Sequence, residues 1–295
     1  LAPKEDWIVD RFVQEWTLDN PDMACHDPQD ADLIWLMADW CWLQVPIWIL
    51  SRKKVVVTVH HVVPQKFDLV AYTEFVRRDQ LVTAYHVPNE HTRDVIKAWT
   101  KKPIHVIPYW ANQRIWRPTG TKEELRKKHG LPIDGYLVGS FQRDTEGNDL
   151  KTPKLEKGPD LLADALITFK PLMPNLHVVL AGWRRQYLIS RLEAASIPYS
   201  YVEKPPQETV NELYQTLDLY PVTARQEGGP QSIIECGLLN VPVVSRDVGM
   251  ASMCLPREAI NDTITQCFPA IPDVTKLRLP YGYAPYKDLF RSIVG

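Results

Sequence analysis

The sequence lacks the features that mark membrane-spanning and nucleic-acid-binding proteins. Its longest mostly apolar stretch covers residues 35–50. Asp39, Gln44 and Pro46 interrupt this stretch, so it falls short of the roughly 18 apolar residues that a spanning helix needs. The 34 Lys and Arg residues nearly balance the 36 Asp and Glu residues, so there is no basic excess and we expect no nucleic-acid partner. No signal-peptide pattern follows Leu1.

Cysteine is also sparse. The five cysteines are odd in number and form no C-x-x-C pair. This usage predicts reduced, buried thiols in a cytoplasmic protein. The residues concerned are Cys25, Cys41, Cys236, Cys254 and Cys267.

What is present is the composition of a soluble enzyme, with strands and helices that alternate along the chain. The 295 residues are enough for two domains, and the 45% hydrophobic and 24% charged fractions are close to the globular average. The alternation predicts parallel, right-handed α/β units. The predicted strands are residues 33–37, 54–60, 82–86, 104–108, 136–140, 177–181, 199–202, 217–222 and 241–245. The predicted helices are residues 90–99, 160–169, 185–195, 209–216 and 286–293.

A domain boundary is predicted at Trp116-Arg117-Pro118. The turn at Gly120 and the charged run 122–128 follow it, and each of these features marks a solvated connection. We therefore expect an N-terminal domain over residues 1–118 and a C-terminal domain over residues 119–279. Residues 280–295 are expected to form a C-terminal helix.

The most informative segment covers residues 217–249 and is LDLYPVTARQEGGPQSIIECGLLNVPVVSRDVG. It predicts a strand, a tight turn at Glu227-Gly228-Gly229, a helix and a second strand. Pro230 suits the first helical position because its φ is fixed and it needs no amide proton. Glu235 lies a turn and a half into the helix. In a doubly wound sheet, ligands bind at this carboxyl edge.

The chemistry of this turn favours a sugar nucleotide. Backbone amides at the start of the helix, beside Gln231 and Ser232, suit a phosphate. The glutamates suit vicinal hydroxyls, since a carboxylate accepts two hydrogen bonds. Gly228 and Gly229 allow the backbone to approach a ligand closely. Arg225, just before the turn, is either a further phosphate ligand or a partner of Glu227.

The two glutamates, with seven residues between them, resemble the E-x7-E segment of retaining glycosyltransferases of family 4. The resemblance implies the α/β GT-B fold, with two Rossmann-like domains whose parallel sheets face a central cleft. It also implies that Glu227 meets the transferred sugar and that Glu235 meets the ribose hydroxyls. The C-terminal domain would bind the donor, and the final helix would return to the N-terminal domain.

Two cations are placed to bind the diphosphate. Arg143 follows the strand 136–140, and Lys157 lies in KGPDLL, which resembles the lysine-glycine motif of the same family. Fixed cations stabilise the charge that develops on a departing phosphate. Lys154, inside the insertion 144–156, is an alternative to either cation.

Other candidates are a histidine and a pair of backbone contacts. His60 and His61 end the predicted strand 54–60, and the resemblance places His60 beside the reacting carbon of the sugar. There it would hydrogen-bond the sugar or assist proton loss from the acceptor; a structural histidine is the alternative. Backbone contacts near Tyr201 and Val202 are expected to bind the nucleotide base.

No metal or cofactor is expected. Asp30-Ala31-Asp32 has the D-x-D form of a metal motif, but it precedes a strand and no second ligand cluster follows it. We interpret both aspartates as solvated loop residues. Arg143 and Lys157 would then serve in place of a divalent cation, and the donor would be a substrate rather than a cofactor.

Aromatic residues are frequent near the N-terminus. Trp40, Cys41 and Trp42 are candidates for lining an acceptor cleft, and Arg52-Lys53-Lys54 follows the apolar IWIL. Two interpretations remain: a buried core with a solvated turn, or a weak peripheral contact with a membrane.

The sequence therefore predicts a retaining, metal-independent glycosyltransferase. It would move a hexosyl or related sugar from a nucleotide diphosphate-sugar to a glycan, lipid-linked or small-molecule acceptor. The resemblance implies a role in cell-envelope polysaccharide synthesis, at the cytoplasmic side of the membrane. A nucleotide-sugar 2-epimerase and a non-catalytic nucleotide-binding scaffold are the alternatives. Base, sugar, acceptor and oligomeric state stay open.

Overall fold

The computed structural model describes residues 8–295, so the sequence pattern at Leu1 lies outside the described residues. Strands and helices alternate along most of this range. The strands are β1 (Leu33–Leu36), β2 (Lys54–Thr58), β3 (Ala84–Val87), β4 (Ile104–Val106), β5 (Tyr136–Ser140), β6 (Leu176–Gly182), β7 (Tyr199–Glu203), β8 (Tyr220–Val222) and β9 (Val243–Ser245). The helices are α1 (Ile8–Asp19), α2 (Ile47–Leu50), α3 (Leu69–Asp79), α4 (Glu90–Ile96), α5 (Lys122–Lys128), α6 (Pro159–Phe169), α7 (Gln186–Ala194), α8 (Gln207–Gln215), α9 (Gln231–Leu239), α10 (Ala251–Cys254) and α11 (Ala284–Val294).

The chain forms two compact units. Unit 1 consists of residues 8–109 and 283–295, and unit 2 consists of residues 110–282. The sequence placed the corresponding boundaries after residues 118 and 279. Trp116 lies within unit 2, where its ring packs edge-on against Tyr214, with the ring centroids 5.8 Å apart.

Unit 1 is built on a parallel sheet in the order β1-β2-β3-β4. Val56 of the central strand β2 pairs with Trp35 of β1 and with Ala84 of β3. Strand β2 is β-branched and almost fully buried, as expected for a parallel strand covered on both faces. Helix α11 packs on β1 through Tyr286 and Phe290, whose rings lie 5.3 and 4.9 Å from that of Trp35.

Unit 2 contains the parallel strands β5-β6-β7 and the parallel pair β8-β9. A bridge between Val138 and Leu219 places β8 beside β5, which gives the spatial order β7-β6-β5-β8-β9. Gly139 in β5 leaves room for Leu217, because a Cβ there would lie 2.3 Å from Cδ1 of that buried side chain and would force it to shift. The strand order reverses between β5 and β8, and such reversals form the ligand crevice of open α/β sheets. The predicted α/β class with parallel sheets is confirmed.

The charged run 122–128 differs from its prediction as a solvated connection, because it forms helix α5. Thr121 and Glu124 form a capping box at its start. Arg126 is buried and donates hydrogen bonds to Thr216 O at 2.8 Å and to Asp218 Oδ2 at 2.6 Å. The prediction was wrong because the cap and the buried arginine turn the run into a packed helix. Helix α1 was also missed.

All five cysteines are free, as predicted. Cys41, Cys236 and Cys254 are buried and Cys267 is partly buried, but Cys25 is exposed, so the prediction of burial was wrong for Cys25. Within residues 8–295, none of the helices combines the length and the apolar character that crossing a bilayer requires.

Candidate functional site

Loops of unit 2 meet where the strand order reverses. The loop after β8 binds the single helical turn Leu155–Lys157, because Arg225 N and Gln226 N donate to Glu156 O at 2.8 and 3.2 Å. From the loop after β5, Gln142 Nε2 donates to Lys157 O at 2.9 Å. Hydrogen bonds to main-chain carbonyls therefore fix the position of Lys157 at this edge of the sheet.

Gly158 allows the closest of these approaches. Its φ of +63° lies in the left-handed region, and a Cβ at this position would lie 1.9 Å from Thr223 O. Both the conformation and the space therefore require glycine. This geometry explains why a lysine and a glycine are adjacent in the sequence. Gly158 lets the turn contact the loop after β8, and the side chain of Lys157 then points toward Glu227.

Lys157 and Glu227 form an ion pair through Nζ and Oε1. Their side chains are only 16% and 13% exposed, so the pair is well shielded from bulk water. Charge-assisted hydrogen bonds of this kind are stronger than neutral ones. The structure thus brings together two residues that the sequence had identified separately.

Arg225 pairs with Asp160 rather than with Glu227. Its guanidinium donates to Asp160 Oδ2 at 2.6 Å and to Asp160 Oδ1 at 2.8 Å, and it also donates to Leu155 O at 2.8 Å. The hydrogen bonds from Arg225 hold the pKa of the Asp160 carboxyl below its ordinary value. This bidentate pair joins the start of α6 to the loop after β8.

The turn at Gly228-Gly229 is buried against the loop that follows β9. A Cβ on Gly249 would lie 2.1 Å from Gly229 O, and Gly249 has a φ of +58°. Pro230 precedes α9 as an extended N-cap residue, with φ −68° and ψ 147°, and the helix begins at Gln231. The prediction that Pro230 is the first helical residue was wrong by one position, because its ψ is not helical.

Glu235 is 7% exposed and accepts a hydrogen bond at 2.8 Å from the hydroxyl of Tyr214 on α8. Burial and the Glu235 carboxylate raise the pKa of the Tyr214 phenol well above its ordinary value, so it stays protonated and donates. Gln231 and Ser232 occupy the first turn of α9, which has no side-chain cap. Gln231 Nε2 is buried without a hydrogen-bond partner.

Arg143, Tyr201 and Val202 lie toward β6 and β7. Arg143 Nε donates to Thr145 O at 2.9 Å, and its guanidinium carbon lies 5.4 Å from the ring centre of Trp183. Tyr201 and Val202 belong to β7, where the Tyr201 hydroxyl donates to Gly182 O at 3.1 Å. Lys154 Nζ lies 3.5 Å from Glu156 Oε1. The structure therefore does not join Arg143 to the Lys157–Glu227 pair by a direct contact.

His60 belongs to unit 1, in the loop that follows β2. The strand ends at Thr58, so the prediction that both histidines are strand residues was wrong. His60 Nε2 lies 2.7 Å from Met37 O, and Nδ1 contacts the hydroxyl of Tyr109. Since a carbonyl can only accept, Nε2 carries the hydrogen and Nδ1 accepts from the phenol. Its role at a sugar stays a prediction.

Within the described range, residues 8–295, no group of three His, Cys, Asp or Glu side chains is arranged to hold a metal ion. Asp30 and Asp32 are both exposed loop residues. The sequence missed Asp160, Tyr214 and Thr223 as parts of this region. Of these three, only Asp160 left a local signal, because it lies in the first turn of α6 and acidic residues favour helix starts.

Part of the chain is similar in sequence to a known family. Residues 150–265 match the family model for glycosyl transferases group 1. This segment contains Lys157, Glu227, Glu235 and the loops described above. Among curated proteins, none is similar enough in sequence to match the chain.

Solved structures are similar over more of the chain. HepE from Anabaena, in complex with UDP and glucose, is 17% identical with a TM-score of 0.64, over 85% of this chain and 65% of HepE. Sucrose-phosphate synthase from Thermosynechococcus elongatus is 15% identical with a TM-score of 0.61, over 99% of this chain and 70% of the synthase. The pneumococcal O-GlcNAc transferase GtfA, with UDP and GlcNAc, is 15% identical with a TM-score of 0.53, over 84% of this chain and 47% of GtfA.

The chain thus spans about two thirds of HepE and about half of GtfA. At these identities the similarity establishes the fold alone. The chain has the α/β fold of these glycosyltransferases, and the predicted GT-B class is confirmed.

Proposed function

We propose that the chain is a retaining glycosyltransferase that moves a sugar from a nucleotide diphosphate-sugar to a glycan, lipid-linked or small-molecule acceptor. The observation that carries this proposal is the shielded Lys157–Glu227 pair at the strand-order reversal, inside the segment that matches group 1 glycosyl transferases. The UDP and glucose bound to HepE support a sugar nucleotide as the donor.

Each side chain has a distinct task in this proposal. Lys157 and Arg143 stabilise the negative charge that grows on the diphosphate as the sugar leaves, so no metal ion is needed. Glu227 accepts hydrogen bonds from sugar hydroxyls, and a phosphate oxygen competes with it for the Lys157 ammonium. Glu235 binds the ribose hydroxyls.

The remaining donor contacts come from the backbone and from short polar side chains. The amides at the start of α9, with Gln231 and Ser232, bind phosphate, and the buried Nε2 of Gln231 supplies an unused donor. Gly228 and Gly229 leave room for the donor. The main chain at Tyr201 and Val202 contacts the base.

We also propose a cytoplasmic protein that touches membrane weakly through unit 1. Ile47 and Trp48 are 59% and 52% exposed, and the basic Arg52 and Lys53 follow them. Exposed apolar side chains beside cations favour an anionic lipid surface. Acceptors linked to cell-envelope lipids would be presented at such a surface.

The test measures sugar transfer and donor hydrolysis with UDP-glucose, in the presence of a metal chelator. Glu227→Gln and Lys157→Gln should each lower kcat at least about 100-fold, because each removes an interaction that strengthens in the transition state. The control is Glu208→Gln, which changes the same charge at the first turn of α8 and should keep wild-type activity.

Four results would contradict the proposal. Full activity of both variants would remove the pair from catalysis, and activity abolished by the chelator would require a metal. A sugar product of unchanged mass, formed without acceptor, would indicate a 2-epimerase. Tight nucleotide binding without turnover on any donor would indicate a scaffold.

A further inference from the structure

Three cations surround one surface tryptophan at the carboxyl ends of β5, β6 and β7. Trp183 directly follows β6 and is 46% exposed. Lys204 Nζ lies 4.9 Å from its ring centre, and the guanidinium carbons of Arg184 and Arg143 lie at 5.0 and 5.4 Å. Cations within about 6 Å of an indole are attracted by its π face. We call these four residues the Trp183 cluster.

The charges of the Trp183 cluster are not neutralised. Within residues 8–295, none of its cations forms an ion pair with a carboxylate, although Glu203 immediately precedes Lys204. Arg143 Nε and Arg184 Nη2 each donate to a backbone carbonyl, and Arg184 Nε is buried without an acceptor. An aromatic ring holds a cation without cancelling its charge. Most donors of the cluster are therefore available to an anion.

A buried arginine fixes the loops that carry the cluster. Arg185 is fully buried and binds Asp144 Oδ2 at 2.7 Å, Ser140 Oγ at 2.8 Å and Ala181 O at 2.9 Å. These bonds tie the end of β5 to the end of β6. The loops therefore have a defined spacing before any ligand arrives.

The backbone of the cluster is held in an uncommon conformation. Arg184 and Lys204 have φ of +57° and +45°, in the left-handed region that L-residues rarely adopt. Such a backbone is less favourable than a right-handed one for residues that carry a Cβ. Strained residues of this kind concentrate at ligand-binding positions, where the surrounding structure holds them.

We propose that the Trp183 cluster is a phosphate-binding subsite that takes the phosphoryl groups of a phosphorylated ligand. A phosphate ester or diphosphate carries about two negative charges or more, which three cations match better than the single charge of a carboxylate. Guanidinium groups also bind phosphate oxygens through two parallel hydrogen bonds.

Two sources supply this chemistry. One is the diphosphate of the sugar nucleotide, in which case the inference rests on the proposed function and extends the role of Arg143. The other is a phosphate group on a second ligand. Strands β6 and β8 are two strand spacings apart, so the cluster lies roughly 10 Å along the sheet edge from the Glu227 turn.

The test titrates the full chain with inorganic pyrophosphate and separately with UDP, by calorimetry. The double variant Arg184→Gln, Lys204→Gln should lose at least about tenfold in pyrophosphate affinity, because it removes two charged hydrogen-bond donors. The control is Lys276→Gln, which removes an exposed cation elsewhere in unit 2 and should bind as the wild type does. Trp183→Leu should also weaken binding, since it frees the cations from the ring.

The two ligands separate the two sources. A parallel loss for UDP assigns the subsite to the donor diphosphate, and a loss for pyrophosphate alone assigns it to a second phosphorylated ligand. Equal pyrophosphate affinity in the wild type and the double variant overturns the proposal, and so does an equal loss in Lys276→Gln. A wild-type chain that binds pyrophosphate at the cluster but turns over no sugar nucleotide contradicts only the proposed function.

Discussion

Cations lie at two places along the sheet edge of unit 2, and their charges are balanced differently. We call the region around Lys157, Glu227 and α9 the Glu227 end, and the region of the Trp183 cluster the Trp183 end. At the Glu227 end, carboxylates neutralise the cations: Lys157 binds Glu227, and Arg225 binds Asp160 through two hydrogen bonds. At the Trp183 end, an aromatic ring holds the cations and leaves their charge in place. The first arrangement presents a carboxylate that sugar hydroxyls can donate to, and the second leaves uncompensated positive charge that suits an anion.

The difference also shows what holds each end together. The Glu227 end depends on close backbone approach, at Gly158 against Thr223 and at Gly249 against Gly229. The Trp183 end depends on one buried ion pair, between Arg185 and Asp144, whose side chains are 0% and 1% exposed. Substitutions at these positions therefore act on one end at a time.

The largest effect is expected from Arg185→Leu. It leaves the Asp144 carboxylate buried without its partner, and removing one member of a buried ion pair costs about 3–5 kcal/mol. Urea unfolding should show this loss in the free energy of unfolding. The control is Arg191→Gln, which breaks a surface pair with Asp164 and should cost less than about 1 kcal/mol. Equal losses in the two variants would show that the buried pair is not the anchor of the Trp183 end.

Gly158→Ala tests the Glu227 end with a matched control in the same unit. Gly158 and Gly130 both have a φ of +63°, but a Cβ on Gly130 would meet no atom within 4 Å. Gly130→Ala should lower the free energy of unfolding by only about 1–2 kcal/mol, because alanine disfavours the left-handed backbone. Gly158→Ala adds the clash with Thr223 O and should cost about 2–4 kcal/mol in all.

The activity of the two glycine variants then separates backbone approach from stability. Gly158→Ala should also lower sugar transfer, because Lys157 moves with the turn, whereas Gly130→Ala should not. If the two variants lost the same stability and kept the same activity, close approach at Gly158 would have no role at the site.

The Glu227 end was largely predictable from sequence, and the Trp183 end was not. Lys157, Gly228 and Glu235 lie in short sequence motifs, and the residue types in these motifs indicate which ligand groups they can bind. The Trp183 cluster draws its members from three loops that are separated by about 20 to 40 residues in sequence. No local pattern links such residues, because their proximity depends on the order of β5, β6 and β7. The carboxylate partner of Arg225 was missed for the same reason, since Asp160 is adjacent only in the fold.

Tyr214→Phe removes the hydroxyl that donates to Glu235 and leaves the ring in place. Loss of one hydrogen bond to a buried carboxylate should cost about 1–3 kcal/mol in the free energy of unfolding. UDP affinity should fall if Glu235 binds the ribose, while pyrophosphate affinity should not change. Tyr220→Phe is the control, because that hydroxyl accepts from Phe141 N instead. A loss of pyrophosphate affinity in Tyr214→Phe would mean that the two ends are coupled.

The smallest effect is expected from Asp160→Asn, and it depends on pH. The folded protein holds the pKa of Asp160 below its ordinary value of 3.8, chiefly through hydrogen bonds from Arg225. A carboxyl with a lowered pKa stabilises the fold above its unfolded pKa, and this contribution disappears as pH falls through the folded value. At pH 7 the variant should therefore be less stable than the wild type by under about 1 kcal/mol, and the gap should close below pH 3.8.

Urea unfolding across pH 7 to 2 measures the gap, with Asp164→Asn at the exposed Arg191 pair as the control. A gap that stays constant with pH would show that Asp160 stabilises the fold through packing. The charge interaction with Arg225 would then contribute nothing to the stability of the Glu227 end.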